Sequence, residues 1–239
     1  LATASLTLAG LLAGAQLVGA ADLYFEQETV ARFNDQPGRR VVSRVWHSGP
    51  RMRIETGEPG ETAVLILRLE QQQAYRLDPQ GRRYESLDLA ELRTRSHLEL
   101  ATAADLMGGD PARSQPLERS QMVAGYRCRG VRIRAGSVVM DVYLTDELPV
   151  GMEAFTRLLE WSGAEQALGP ILAEVRRLTG FPMLTRTRLQ IAGGMQETLA
   201  TVTTVRVGPI PDERFAPPPD FERVEGPVEP PRAGGDGGQ

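Results

Sequence analysis

Short β-favouring segments recur along most of this chain, and consecutive pairs are joined by turns of hairpin type. Residues 23–33 and 40–47 flank Asn34-Asp35-Gln36-Pro37-Gly38, and residues 51–55 and 62–69 flank Gly57-Glu58-Pro59-Gly60. Residues 72–77 return as 82–87 through Asp78-Pro79-Gln80-Gly81, where aspartate opens the turn, proline presets φ and glycine closes it. Residues 126–134 meet 137–145 across Ala135-Gly136, and 183–192 meet 195–207 across Gly193-Gly194. With 117–123 this makes about eleven strands, mostly antiparallel to their neighbours. The fold class expected is α+β, mainly β.

Alternation within the strands shows which sides are buried. Val138, Met140, Val142 and Leu144 share one face and Asp141 and Thr145 the other, whereas residues 64–67 are apolar on both. Between 126 and 133 the apolar positions fall at Tyr126 and Cys128, then at Val131 and Ile133, a slip of one residue at Gly130. A slip at glycine is the mark of a β-bulge, and bulges bend a sheet, so the sheet is expected to be strongly curved. Two helical segments interrupt the strands. Residues 88–107 begin with Asp88 placed to cap and Glu91 three positions on, ahead of Leu89, Leu92, Leu98 and Leu106. Residues 152–178, with a break near Ser162-Gly163, carry Phe155, Leu158 and Leu159, then Leu168, Ile171, Leu172, Val175 and Leu178 at helical spacing, and Gly180 ends them.

The two ends read differently. Residues 1–20 are uncharged, apolar from Leu6 to Val18, and close in Val18-Gly19-Ala20, a signal-peptidase pattern that would start the mature protein at Ala21 or Asp22. No initiator methionine or basic stretch precedes them, as if the chain began inside the signal. Glycine, alanine, serine and threonine dilute the stretch too far for a stable membrane span. With no cysteine at the cleavage point, the expected product is periplasmic or otherwise extracytoplasmic, exported and not lipid-anchored. Residues 21–223 form one domain in this reading, and 224–239, rich in proline and glycine, form a disordered tail.

Composition excludes several functions. All 27 basic residues are arginine and the net charge is −4, so no basic excess is available to hold a nucleic-acid backbone. One cysteine, Cys128, and two histidines, His47 and His97, cannot make an intramolecular disulfide or an all-Cys/His zinc site, and Cys128 reads as a small core hydrophobe. Nucleophile-elbow, dinucleotide, phosphate-loop and metalloprotease motifs are missing, so no catalytic residue, metal or cofactor is assigned and no enzyme is expected. Asp105 with Asp110, Asp141 with Asp146 and Glu147, and the arginine pairs at 39–40, 82–83 and 176–177 read as solvated charges.

A curved antiparallel sheet needs its concave face covered, and amphipathic helices inserted between strands are suitable covers. A loose cover leaves an apolar pocket that takes acyl chains, each buried methylene contributing about 0.8 kcal/mol. The candidate lining or lid residues are Trp46, Tyr75, Phe155, Leu158, Leu159, Trp161, Leu168, Ile171, Leu172 and Val175. A tight cover leaves an ordinary core.

Several stretches, in this order, resemble a bacterial exported family of unknown function whose domain is similar to the lipoprotein carriers LolA and LolB. They are AYRLDPQGRRYESL (74–87), VAGYRCRGVRI (123–133) leading to VYLTDELP (142–149), GFPMLTR (180–186) and IPDERFAPPPDFERV (210–224). The resemblance covers about residues 22–224. It implies an incomplete β-barrel with helices across its open side and an apolar cavity between them; that family has no established active site to carry over. Two functions are therefore expected as alternatives. One is a monomeric, non-enzymatic envelope carrier or chaperone binding a lipid or acylated lipoprotein. The other is an envelope interaction or sensor scaffold with a filled core that binds a protein partner.

Overall fold

The computed structural model describes residues 21–34, 36, 38–57, 62–91, 111–152, 164–191 and 193–228. Alternating apolar residues and tight turns give strands β1 (Leu23–Phe33), β2 (Arg39–Ser48), β3 (Arg51–Thr56), β4 (Ala63–Arg68), β5 (Gln73–Asp78) and β6 (Arg83–Asp88). They continue as β7 (Arg113–Val123), β8 (Tyr126–Ala135), β9 (Val138–Thr145), helix α1 (Ala164–Val175), β10 (Phe181–Ile191), β11 (Gly194–Val207) and a two-residue β12 (Glu222–Arg223). Among the described residues, twelve strands form one curved, open sheet in the order β12-β6-β5-β4-β3-β2-β1-β11-β10-β9-β8-β7. Every pairing is antiparallel except that of β12 with β6. The expected eleven strands are present, and β12 is the addition.

The bulge foreseen at Gly130 is carried by the facing strand. Leu117 pairs with Gly130 and Gln121 with Cys128, so β7 holds the extra residues, while β8 runs in unbroken register against β9. Glycine is needed there by contact: a Cβ on Gly130 would lie 2.9 Å from Leu117 Cβ and 3.0 Å from Tyr143 Cε1. Further register shifts at Glu26/Gln27 and Pro182/Leu184 add to the bend.

The two faces of the sheet are covered by different parts of the chain. Ile171 and Val175 of α1, with Met152, pack on Val131, Ile133, Val138, Val142 and Leu144 of β8 and β9. Leu23, Phe181, Met183 and Val202 continue that layer, joined to Val45, Leu67 and Leu87 through Phe25. On the opposite face the chain after β11 crosses back over β3 to β6. Phe215, 1% exposed, sits on Val64, Ile66 and Leu77, with Ile210 and Phe221 beside it. This strap ends in β12; Val224 N–H still donates to Tyr84 O at 2.9 Å, and Val228 is buried.

Helix α1 holds by packing more than by propensity. Pro170 lies inside it, where it removes a backbone donor and costs about 3 kcal/mol in a helix interior. Gly180, at φ +83°, then turns the chain into β10; a Cβ there would lie 2.7 Å from Thr145 O. Of the expected first helix, the structure describes the start: Asp88 Oδ1 accepts Ala90 N–H at 2.7 Å, as its capping role requires. Its remainder and residues 153–163 lie outside the described residues.

Candidate functional site: an apolar cavity beneath helix α1

Helix α1 does not close fully on the sheet. Between them lies a cavity of about 220 Å³, walled by Ile171, Leu172 and Val175 from α1 and by Met152. Its floor is Gln27 of β1, Met140 and Val142 of β9, Pro182, Thr185 and Thr187 of β10, and Ala200 of β11. Cross-strand register explains the convergence: Thr185 stands opposite both Val142 and Ala200, and Ala200 opposite Thr29, two residues from Gln27. Among the described residues the lining carries no formal charge, and Gln27, Thr185 and Thr187 supply its polar atoms. Gln27 Nε2 donates to Thr29 Oγ1 at 3.3 Å, leaving the floor mostly hydrocarbon.

Among the described residues the cover is tied to the sheet through Glu174 and through Thr179. Ser114 Oγ of edge strand β7 donates to Glu174 Oε2 of α1 at 2.6 Å, and Arg177 Nη1 donates to Glu174 Oε1 at 2.5 Å. Past the helix end, Arg129 Nη2 donates to Thr179 O and to Thr179 Oγ1, both at 2.7 Å.

Of the residues singled out by sequence, the structure brings Ile171, Leu172 and Val175 to this cavity. Leu168 lies in α1, and its side chain, like Phe155, Leu158, Leu159 and Trp161, is outside the described residues. Trp46 and Tyr75 are elsewhere. Gln27 pairs with Ser43, which shares its face with Val45, so Trp46 points to the opposite face. Register carries that face from Trp46 to Arg53, Ile66 and Tyr75, under the strap. Alternation alone reveals partners on a face, not which face a helix will cover. Residues that sequence reasoning missed, Gln27, Thr185, Thr187 and Ala200, are polar or small and carry no signal of their own.

Trp46 instead lines an open groove of about 470 Å³ with Tyr24, Arg206, Arg214, Pro209, Ile210 and Pro211. Arg214 lies 5.1 Å over the Trp46 ring and Arg206 5.6 Å over that of Tyr24, a layered cation–π arrangement. Burial, then the hydrogen bond to Glu26 and its negative charge, push the Tyr24 hydroxyl up to about 12.

One charge reading is corrected. Asp141 is not a solvated acid: it is 4% exposed, on the face away from α1, clamped by Arg132 Nε at 2.5 Å and Nη2 at 2.8 Å and by Arg188 Nη2 at 2.9 Å. The hydrogen bonds from Arg132, followed by the charges of Arg132 and Arg188, hold its carboxyl below the usual carboxylate range despite burial. Asp146 and Glu147 face other partners, Arg129 and the Arg127 N–H. Cys128 is fully buried, and burial raises its thiol pKa, as suits an inert core residue. His47 is buried at the end of β2 between Leu23 and Met52; His97, Asp105 and Asp110 lie outside the described residues. Among the described residues no group of three His, Cys, Asp or Glu is placed to hold a metal ion, and no helix is long and apolar enough to cross a membrane.

A single open antiparallel sheet, a helix across one face and an apolar cavity between them define a protein of the half-barrel class. The chain belongs to the family of the domain of unknown function DUF4412, which matches residues 47–221. None of the curated proteins matches it. Among solved structures it is similar to an uncharacterized conserved protein from Thermus thermophilus, at 9% identity and TM-score 0.46, covering 86% of this chain and 90% of that one. It is also similar to a LolA superfamily protein from Nitrosomonas europaea, at 8% identity and TM-score 0.37, covering 82% and 90%. A third likeness is to a chain of the Pseudomonas aeruginosa MucA/MucB complex, at 12% identity and TM-score 0.43, covering 86% of this chain and 59% of that one.

Proposed function

We propose that this protein is a non-enzymatic carrier or chaperone of the cell envelope that holds an apolar group, the acyl chain of a lipid or of an acylated lipoprotein, between α1 and the sheet. The observation that supports this most is the uncharged cavity of about 220 Å³ under a proline-containing helix. Engineered apolar cavities of about 150 Å³ already take up benzene, so the space present admits a short stretch of acyl chain. Drug-sized ligands occupy about 300 Å³ or more, so a whole chain requires α1 to lift. The ties through Glu174 and Thr179 are few enough to break and re-form, and each acyl methylene moved from water into the site contributes about 0.8 kcal/mol toward opening.

The test is displacement of a fluorescent fatty acid from the parent protein and from the cavity-filling variants Ala200→Phe and Thr187→Phe. Saturable binding by the parent, weakened at least about tenfold in folded variants, a change of about 1.4 kcal/mol, supports the carrier. Equal binding by all three contradicts it, and absence of binding by the parent favours the filled scaffold.

A further inference from the structure

The face of the sheet turned away from α1 carries a concentration of positive charge that the whole chain, at −4, lacks. Cross-strand register runs one row from Arg113 to Arg134, Val139, Arg188, Glu197 and Arg32. The next row contains Arg132, Asp141 and Arg186. Asp141 is buried and already engaged by Arg132 and Arg188, and Glu197 lies 3.9 Å from Arg186. Arg32, Arg113, Arg134 and Arg186 are exposed. Five strand spacings of about 4.8 Å make the first row roughly 24 Å long, enough to meet several headgroups at once. At the same end of the sheet Met195, 44% exposed, reaches solvent on this face, whereas Phe33 alternates with Arg32 and points to the other face. Met195 stands two residues from Glu197, the cross-strand partner of Arg32.

We propose that this face docks on an anionic lipid bilayer, the arginines on headgroup phosphates and Met195 in the interface. Guanidinium groups bind phosphate oxygens bidentately, and an exposed apolar side chain beside cations suits a membrane surface better than a soluble polyanion. Because the remainder of the chain is acidic, attraction is confined to this face and fixes the docked orientation, with α1 directed away from the membrane. The inference stands apart from the cavity reading.

The experiment is co-sedimentation with vesicles of phosphatidylcholine alone and of phosphatidylcholine mixed with phosphatidylglycerol, over a salt series. The parent is expected to bind the anionic vesicles and to release as salt rises. The triple variant Arg32→Glu, Arg113→Glu, Arg134→Glu, with its melting temperature checked against the parent, is expected to lose at least about tenfold. Met195→Ser is expected to weaken binding while leaving the salt dependence in place. Ala200→Phe is expected to bind as the parent does, which separates surface docking from lipid uptake. Equal binding to both vesicles, absence of binding to either, undiminished binding by the folded triple variant, or stronger retention on soluble polyphosphate than on vesicles would overturn the proposal.

Discussion

Ser114 on the edge strand β7 and Glu174 on helix α1 are joined by a 2.6 Å hydrogen bond, Oγ to Oε2, that ties the helix to the edge of the sheet. Glu174 is buried, so the bond fixes a charged group where water does not compete fully. Ser114→Ala is expected to destabilise the protein by about 1–3 kcal/mol, the usual cost of losing a hydrogen bond to a charged group. The loss should be local. Hydrogen exchange should accelerate in α1 and remain slow in β8 to β10; uniform acceleration would show that α1 opens only with the whole fold.

Asp141 is the electrostatic centre of the opposite face. Removing its carboxylate leaves Arg132 and Arg188 facing each other, so Asp141→Ala is expected to cost about 3–5 kcal/mol in urea unfolding. The pH dependence follows from the lowered carboxyl. Its folded-state pKa lies below the unfolded value of about 3.9, so the unfolded chain binds the proton first as pH falls. Its contribution is full above the unfolded pKa and declines as pH falls through the folded one. An Asp141→Asn variant should show a shallower loss of stability below about pH 4 than the parent.

Gly130 should tolerate no side chain. A Cβ would press on Leu117 and Tyr143 together, across two neighbouring strands, so Gly130→Ala is expected to cost about 1–3 kcal/mol, read as a lower urea midpoint with an unchanged slope.

Phe215 anchors the strap. Its ring is buried on Val64, Ile66 and Leu77, with the Arg51 guanidinium 4.8 Å above it and Arg51 bonded to Asp212 at 2.7 Å. Phe215→Ala is expected to cost about 3–5 kcal/mol and to make the segment 208–228 the first site of proteolytic cleavage. Unchanged cleavage there would mean that β12 and Phe221 hold the strap without it.

The strands were legible because their turns carry their own chemistry. Asp78 Oδ1 accepts the N–H groups of Gln80 and Gly81, as its place in the turn required, and those bonds, Gly81 first, hold its carboxyl below the ordinary range. The helical residues of the cavity were legible too, since Ile171, Leu172 and Val175 follow helical spacing. The strap was not, because Phe215 stands alone among prolines and charges, with no period to mark it. Nor could the bulge be assigned to its strand: Gly130 shows the slip, but the extra residues lie opposite, in β7. Size and apolarity alone make Trp46 and Tyr75 candidates for the lid cavity, while the choice of face rests on contacts made by the distant segment 208–228.

The central claim is that the space under α1 receives an apolar ligand. Native mass spectrometry of the protein, exported to a bacterial periplasm and purified without detergent, before and after organic extraction, tests it most directly. The account predicts an added mass that leaves with the solvent, identifies as lipid, and is reduced in Ala200→Phe. A bare protein mass that persists after incubation with mixed lipids would contradict it.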